Sequence, residues 1–169
     1  MKARKYNITK GLFIVYIIIL TWIILFKMQF DISSLEAMNL RSINLVPFAG
    51  SLIVNNRVDI SEIILNVVVF APFGIYLCML KGEWGFIKKV VPIFLASLVF
   101  ETLQYIFAIG ASDITDLIGN TLGGIIGIAV FVLLSKIFKG KAIKIINILA
   151  LIVTVVVILF LGLLIITNL

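Results

Sequence analysis

Histidine is absent from the 169-residue sequence, and Cys78 is its single cysteine. Histidine is the commonest side chain for proton transfer near neutral pH and the commonest metal ligand. Its absence excludes Ser-His-Asp and Cys-His catalysis and the HExxH zinc motif, and one cysteine cannot form a CxxC zinc site. Any chemistry must use carboxylates, amides, hydroxyls, lysines or arginines, and we expect neither a metal site nor a cofactor.

Charged residues are also scarce. They make up 13% of the chain, hydrophobic residues make up 63%, and the mean hydropathy is +1.28. Soluble domains have about 25% charged and about 45–50% apolar residues. A water-soluble fold of this size could not bury so much apolar surface, so the excess must face the lipid bilayer. The composition indicates an integral membrane protein and excludes disulfide-rich secreted scaffolds, nucleic-acid-binding domains and disordered tails.

Five stretches are apolar enough to cross the bilayer, which takes about 20 residues in a helix. They cover about residues 12–30, 63–80, 90–109, 117–138 and 145–169. These runs are apolar on every side, whereas strands of a membrane barrel alternate over short segments. We therefore predict an all-α membrane bundle of about five transmembrane helices in a single domain, 1–169. The segment 31–61 has an apolar centre and is predicted to be re-entrant or interfacial.

Lysine and arginine are unevenly distributed between the two ends of the predicted helices. Eleven of the fourteen lie in the N-terminal tail and in the regions after the second and fourth helices. By the positive-inside rule, the N-terminus is cytoplasmic and the C-terminus extracytoplasmic in a multi-pass protein of the cell membrane. The basic N-terminus resembles a signal peptide, but no small-x-small cleavage pattern follows Phe26, which favours an uncleaved first helix. The net charge of +6 is then a signal of topology and of attraction to anionic lipid, not of nucleic-acid binding.

Glu101 is the most informative residue because it lies inside the third predicted helix. It follows Lys89 by 12 positions, which places it about 18 Å above the cytoplasmic boundary. A carboxylate near the middle of the membrane costs at least about 2.5 kcal/mol, so such residues face the bundle interior and mark functional sites. Gln104 shares its helical face. A structural interpretation stays open, in which Glu101 is protonated or pairs with Lys27 or with an arginine of the first loop.

A second polar cluster opens the fourth predicted helix. Asp113, Asp116 and Asn120 follow one another at i, i+3 and i+7 and share one face of its first two turns. Capping and the helix dipole explain one aspartate, but a second aspartate and an asparagine exceed that need. Below them, Gly119, Gly123 and Gly127 form a double small-xxx-small pattern that predicts close approach of another helix.

Counting depth along the helices places the unusual polar side chains at one level. The residues in the outer third of the membrane or at its rim are Asn66, Glu101, Gln104, Asp113, Asp116 and Asn120, with Asn44 and Pro47 in the loop above them. Pro72 is predicted to kink the second helix by removing a backbone hydrogen bond. We expect a polar pocket that opens outward or sideways into the outer leaflet.

Four ordered motifs resemble the VanZ-like family. They are Asn44-Leu45-Val46-Pro47-Phe48, Asn66-x-x-x-Phe70-Ala71-Pro72-Phe73-Gly74, Glu101-x-x-Gln104, and Asp113-Ile114-x-Asp116-x-x-x-Asn120-x-x-Gly123-x-x-x-Gly127. The resemblance covers about residues 44–127. The family is named for a membrane protein associated with low-level resistance to teicoplanin, a glycopeptide with a lipid tail. Family members commonly carry an arginine shortly before the first aspartate, where this sequence has Ile109-Gly110-Ala111.

The resemblance assigns candidate roles to these positions. The residues expected to bind a ligand are Asn44, Asn66, Glu101, Gln104, Asp113, Asp116 and Asn120. The residues expected to have structural roles are Pro47, Pro72, Gly74, Gly123 and Gly127. The expected function is lowered susceptibility to teicoplanin-type lipoglycopeptides at the cell envelope, with a lipid-linked or lipoglycopeptide ligand.

Two other functions stay open. In the first, the protein is a membrane-embedded enzyme acting on a lipid-linked envelope substrate. Its catalytic candidates are Glu101, Asp113 and Asp116, and Mg²⁺ would enter only under this alternative. Transport is less favoured, because the sequence has no detectable inverted repeat and a single deep ionisable residue.

Overall fold

The computed structural model describes residues 2–26, 42–48, 61–108 and 112–168. Its elements are α1 (Lys2–Phe26), β1 (Ile43–Asn44), α2 (Ser61–Leu80), α3 (Phe86–Phe107), β2 (Ser112–Asp113), α4 (Ile114–Phe138), a 3₁₀ turn (Lys139–Lys141) and α5 (Ala142–Asn168). The prediction of an all-α membrane bundle is confirmed.

The helix boundaries differ from those predicted by hydropathy. Helix α1 begins ten residues earlier than expected, since its lysines and arginine are good helix formers although they are not apolar. Helices α3, α4 and α5 also begin three or four residues early, where polar or capping residues precede the apolar run. Hydropathy measures the part of a helix that lies in lipid, whereas the helix itself continues into the interface.

Four segments of the described chain are long and apolar enough to span a membrane: Tyr6–Leu25, Ser61–Leu80, Phe86–Phe107 and Ile114–Leu163. The last has 50 residues, about 75 Å of helix, which is more than twice the thickness of the hydrocarbon core. It contains α4 and α5 on either side of the basic turn Lys139–Lys141. The described chain therefore has five long helices but four membrane-spanning segments, because the last segment contains both α4 and α5.

Helices α2 and α4 form the most extensive contact of the bundle, and glycines bring their backbones together. A Cβ built on Gly127 would lie 1.9 Å from the carbonyl oxygen of Ala71, and one built on Gly74 would lie 1.9 Å from that of Gly124. Gly123 is similarly close to Val67. No side chain fits in these spaces, so the small residues at the interface set the helix separation.

The core is apolar and aromatic, and the outer surface is apolar as well. Phe70 and Ile93 are fully buried at the centre of the core, and the Phe70 ring packs edge-on against Phe100. Large side chains on the outer faces, such as Ile18 of α1 and Leu159 of α5, are more than 60% exposed. In water this would be unfavourable, and in a bilayer these faces contact lipid.

The two ends of the bundle are held by different polar contacts. At one end, the hydroxyl of Thr9 and the side-chain amide of Asn147 join α1 to α5 through hydrogen bonds of 2.9 and 3.2 Å. At the other end, Gln104 Nε2 of α3 donates to the carbonyl oxygen of Ile24 in α1 at 3.0 Å. The lysine-rich turn after α2 lies at the Thr9 end.

A two-stranded parallel pairing brings the first loop onto the start of α4. In β1 and β2, Ile43 lies opposite Ser112 and Asn44 lies opposite Asp113. Most of the segment predicted to be re-entrant or interfacial, 31–61, lies outside the described residues. The same is true of Lys27, the arginines of that loop, and Ile109-Gly110-Ala111.

Candidate functional site

A cavity of about 310 Å³ lies between helices α1, α2, α3 and α4, at the end of the bundle away from the lysine-rich turns. Its polar lining consists of Glu62, Asn66, Glu101, Gln104, Asp116 and Asn120. Ile23, Ile24 and Leu65 supply apolar walls. The cavity therefore combines carboxylate and amide groups with an apolar surface.

Asn66 and Asp116 connect α2 to α4 across this cavity. Asn66 Nδ2 donates to Asp116 Oδ1 at 2.7 Å, and Asn66 is buried. Asp116 lies in the first turn of α4, where a negative charge interacts favourably with the helix dipole. The close packing of the α2 and α4 glycines one to three turns further along fixes the helix separation at which this hydrogen bond forms.

Glu101 connects α3 to the start of α4. It is only 4% exposed, and its Oε2 accepts the backbone N–H of Asp113 at 2.9 Å. The carboxylate thus satisfies a backbone donor just before α4 begins, while the residue also lines the cavity. A carboxylate in this position both holds the backbone of Asp113 and contributes an acceptor to the site.

Asp113 and Asn44 brace the rim of the site. Asp113 Oδ1 accepts the backbone N–H of Thr115 at 2.7 Å and caps α4, while Oδ2 accepts from Asn44 Nδ2 at 3.0 Å. Asn44 Oδ1 in turn accepts the N–H of Val46. Both side chains hold residues 44–46 against the start of α4, and neither lines the cavity.

Gln104 and Asn120 are the most deeply buried amides of the site, at 3% and 1% exposure. Gln104 Nε2 donates to the Ile24 carbonyl, and Asn120 Nδ2 donates to Ser97 Oγ at 2.9 Å. Within the described part of the chain, Gln104 Oε1 and Asn120 Oδ1 have no hydrogen-bond partner. Each amide thus donates one hydrogen bond within the protein while its oxygen is unpaired.

The structure brings together five of the seven residues predicted to bind a ligand, namely Asn66, Glu101, Gln104, Asp116 and Asn120. Asn44 and Asp113 form the adjacent brace. Of the residues given structural roles, Pro47 lies in the turn after β1, and Gly74, Gly123 and Gly127 form the α2–α4 contact. Pro72 lies inside α2, nearer the other end of the bundle.

Several residues of the site were not predicted from the sequence. Glu62 and Ser97 lie one helical turn before Asn66 and Glu101, so the i, i+4 spacing on the same face was a usable signal. Thr115, which accepts the N–H of Phe48 at 3.0 Å, lies within the polar cluster at the start of α4. The Ile24 carbonyl carried no signal, because every residue has a backbone acceptor.

The acids of the site are not arranged as a metal-binding group. Among residues 2–26, 42–48, 61–108 and 112–168, no three Asp, Glu, Cys or His side chains are placed so that they could hold a metal ion. The lining nevertheless has many oxygen acceptors. This arrangement can accept hydrogen bonds from a donor-rich group and can interact favourably with positive charge.

The fold and the site define an integral membrane protein with a small cavity, lined by polar and apolar side chains, between its helices. Comparison with known proteins then gives the family. The sequence model of the VanZ/LLP1 family matches residues 13–139, which is most of the chain. Protein VanZ of Enterococcus faecium is 40% identical over 134 residues, covering 79% of this chain and 80% of that protein. The chain belongs to the VanZ/LLP1 family. No solved structure matches it significantly.

Proposed function

We propose that this protein lowers the susceptibility of the cell to teicoplanin-type lipoglycopeptides by acting at the outer side of the cytoplasmic membrane. Membership of the VanZ/LLP1 family supports the proposal at the level of the family. The observation that carries it for this chain is the polar cavity of about 310 Å³ at the end of the bundle that has few lysines and arginines. By the positive-inside rule, that end faces the outside.

The location and composition of the cavity suit a ligand with a polar head and a lipid tail. Carboxylates and amides lie beside apolar walls from α1 and α2, and the surrounding helix faces contact lipid. A ligand of this kind could place its polar group among the acceptors while its tail stays in the outer leaflet. The protein would then act on the drug, or on the lipid-linked molecule that the drug recognises, without leaving the membrane.

The test is a susceptibility panel on cells that express the wild-type protein, Glu101→Gln or Glu83→Gln at matched membrane levels. Glutamine retains an oxygen that can accept the N–H of Asp113, so the variant removes charge with little change of shape. Glu83 lies in the turn between α2 and α3, away from the cavity, and serves as the control. We expect the wild type and Glu83→Gln to raise tolerance to teicoplanin more than to vancomycin, and Glu101→Gln to lose that effect. An unchanged susceptibility profile on wild-type expression would refute the proposal.

A second candidate function is that of an enzyme acting on a lipid-linked envelope substrate. Glu101 and Asp116 are two of the three carboxylates that line the cavity, and carboxylates in one cavity can serve as general acid and general base. On this hypothesis, Asp116→Asn abolishes a change in extracted lipid-linked precursors while the melting temperature of the protein stays close to that of the wild type. Identical precursor profiles with and without the protein would contradict it.

A further inference from the structure

Each side-chain amide of the cavity lining donates a hydrogen bond to the protein itself. The amide nitrogens of Asn66, Gln104 and Asn120 donate to Asp116, to the Ile24 carbonyl and to Ser97 respectively. None of the lining residues is a lysine or an arginine. The charged groups of the described lining are therefore all carboxylates, which are oxygen acceptors when ionised.

Two of those acceptors are unsatisfied in the described structure. Gln104 Oε1 and Asn120 Oδ1 are buried and have no hydrogen-bond partner, although each residue lies on the cavity wall. An unpaired buried acceptor costs about 1–3 kcal/mol. Three carboxylates, Glu62, Glu101 and Asp116, line the same cavity. The unsatisfied amide oxygens are independent of this acidic cluster and point to a ligand that donates hydrogen bonds.

We infer that the cavity binds a primary ammonium group attached to an apolar segment. An ammonium carries three N–H donors, no acceptor and one positive charge, which matches the carboxylates of the lining and the two unpaired amide oxygens. Ile23, Ile24 and Leu65 provide the surface for the apolar segment. The inference deepens the proposed function and rests on it for its biological meaning, because it names the chemical group that the site would recognise.

The size of the cavity favours an organic cation over a metal ion. A volume of about 310 Å³ corresponds to about ten water molecules at about 30 Å³ each, which is far more than a single bare ion fills. Within the described chain, no three acids are arranged to hold a metal. The two unpaired acceptors are neutral amides, which suit N–H donors.

The experiment uses the full chain in nanodiscs of zwitterionic phosphatidylcholine, so that anionic lipid does not attract the probe. Hexylamine and N-hexylacetamide are titrated separately, and binding is measured by saturation-transfer NMR. The two probes share a chain and differ in the charged amine. We expect hexylamine to bind about tenfold more tightly than the acetamide, a difference of about 1.4 kcal/mol.

Variants assign the binding to the cavity. Glu101→Gln and, as a second variant, Asn120→Leu are each expected to lose the preference for the amine, whereas Glu83→Gln keeps it. The melting temperature of each variant in the same nanodiscs shows whether the protein has folded. Equal affinity for the two probes in the wild type would overturn the inference. So would an unchanged preference in both folded cavity variants, or displacement of hexylamine by Mg²⁺ or Ca²⁺ at equal concentration.

The inference and the proposed function fail in different ways. If the wild type alters susceptibility but does not prefer hexylamine, the inference is wrong and the proposed function stands. If the wild type binds hexylamine through Glu101 but leaves susceptibility unchanged, the proposed function is wrong and the ammonium site stands.

Discussion

Substituting alanine for Gly127 tests whether the α2–α4 contact sets the geometry of the site. A Cβ at this position would lie 1.9 Å from the carbonyl oxygen of Ala71, whereas real Cβ atoms essentially never come closer than 3.0 Å to another heavy atom. The obstruction is backbone and cannot rotate away, so the two helices must separate by about 1 Å. Overpacking of this kind costs about 1–3 kcal/mol.

Gly162→Ala provides the matched control. Gly162 lies in α5, and a Cβ built on it has no neighbour within 4 Å. Both substitutions change helix propensity by the same amount, up to about 1 kcal/mol in favour of alanine. The difference between the two variants therefore isolates the clash, and we expect Gly127→Ala to be less stable than Gly162→Ala by about 1–3 kcal/mol.

The assay is unfolding in mixed micelles of mild detergent and SDS, followed by the fluorescence of the two tryptophans. We expect Gly127→Ala to unfold at a lower SDS fraction than the wild type and Gly162→Ala to unfold at an equal or higher one. Equal free energies of unfolding for the two variants, to within about 0.5 kcal/mol, would refute the claim that glycine is required for the helix separation. The cause of the α2–α4 packing would then lie elsewhere.

Three further predictions concern single hydrogen bonds. Asn66→Leu removes the 2.7 Å donor to Asp116 and should lower the free energy of unfolding by about 0.5–1.5 kcal/mol in the same SDS titration. An unchanged stability would mean that this hydrogen bond does not hold α2 to α4. A double-mutant cycle with Thr9→Val and Asn147→Leu should give a coupling energy of about 0.6 kcal/mol, and at most about 1.7 kcal/mol, as for other polar pairs in membranes. A coupling energy near zero would contradict the contact. Asn120→Leu should change stability by less than about 1 kcal/mol, because it removes both a hydrogen bond and an unpaired oxygen, and a large loss of stability would mean that this oxygen is satisfied.

Helical spacing and depth predicted much of the site. Glu101 and Gln104 were expected on one face of α3, and Asp116 and Asn120 on one face of α4, and all four line the cavity. This works in a membrane because polar groups cannot face lipid without cost, so polar residues at the same depth on different helices turn towards one another.

The partners of those side chains could not be predicted in the same way. Glu101 accepts a backbone N–H, and Gln104 donates to a backbone carbonyl. Every residue carries such groups, so the sequence does not distinguish one partner from another. The pairing of Asn44 with Asp113 is equally hidden, because it joins residues 69 positions apart through two strands of only two residues each. It also moves two of the predicted ligand-binding side chains from the cavity to its rim.

The division between rim and cavity follows from which atoms are already paired. Asp113 has both carboxylate oxygens in hydrogen bonds that order the start of α4, so its loss should act first on the fold. Gln104 and Asn120 instead each keep a buried oxygen without a hydrogen-bond partner in the described structure, and this lowers stability. A leucine at Asn120 would remove this unpaired oxygen together with the hydrogen bond to Ser97. On the proposed ammonium site, a substitution at Asn120 should weaken binding of the amine with little loss of stability, whereas a substitution at Asp113 should lower both.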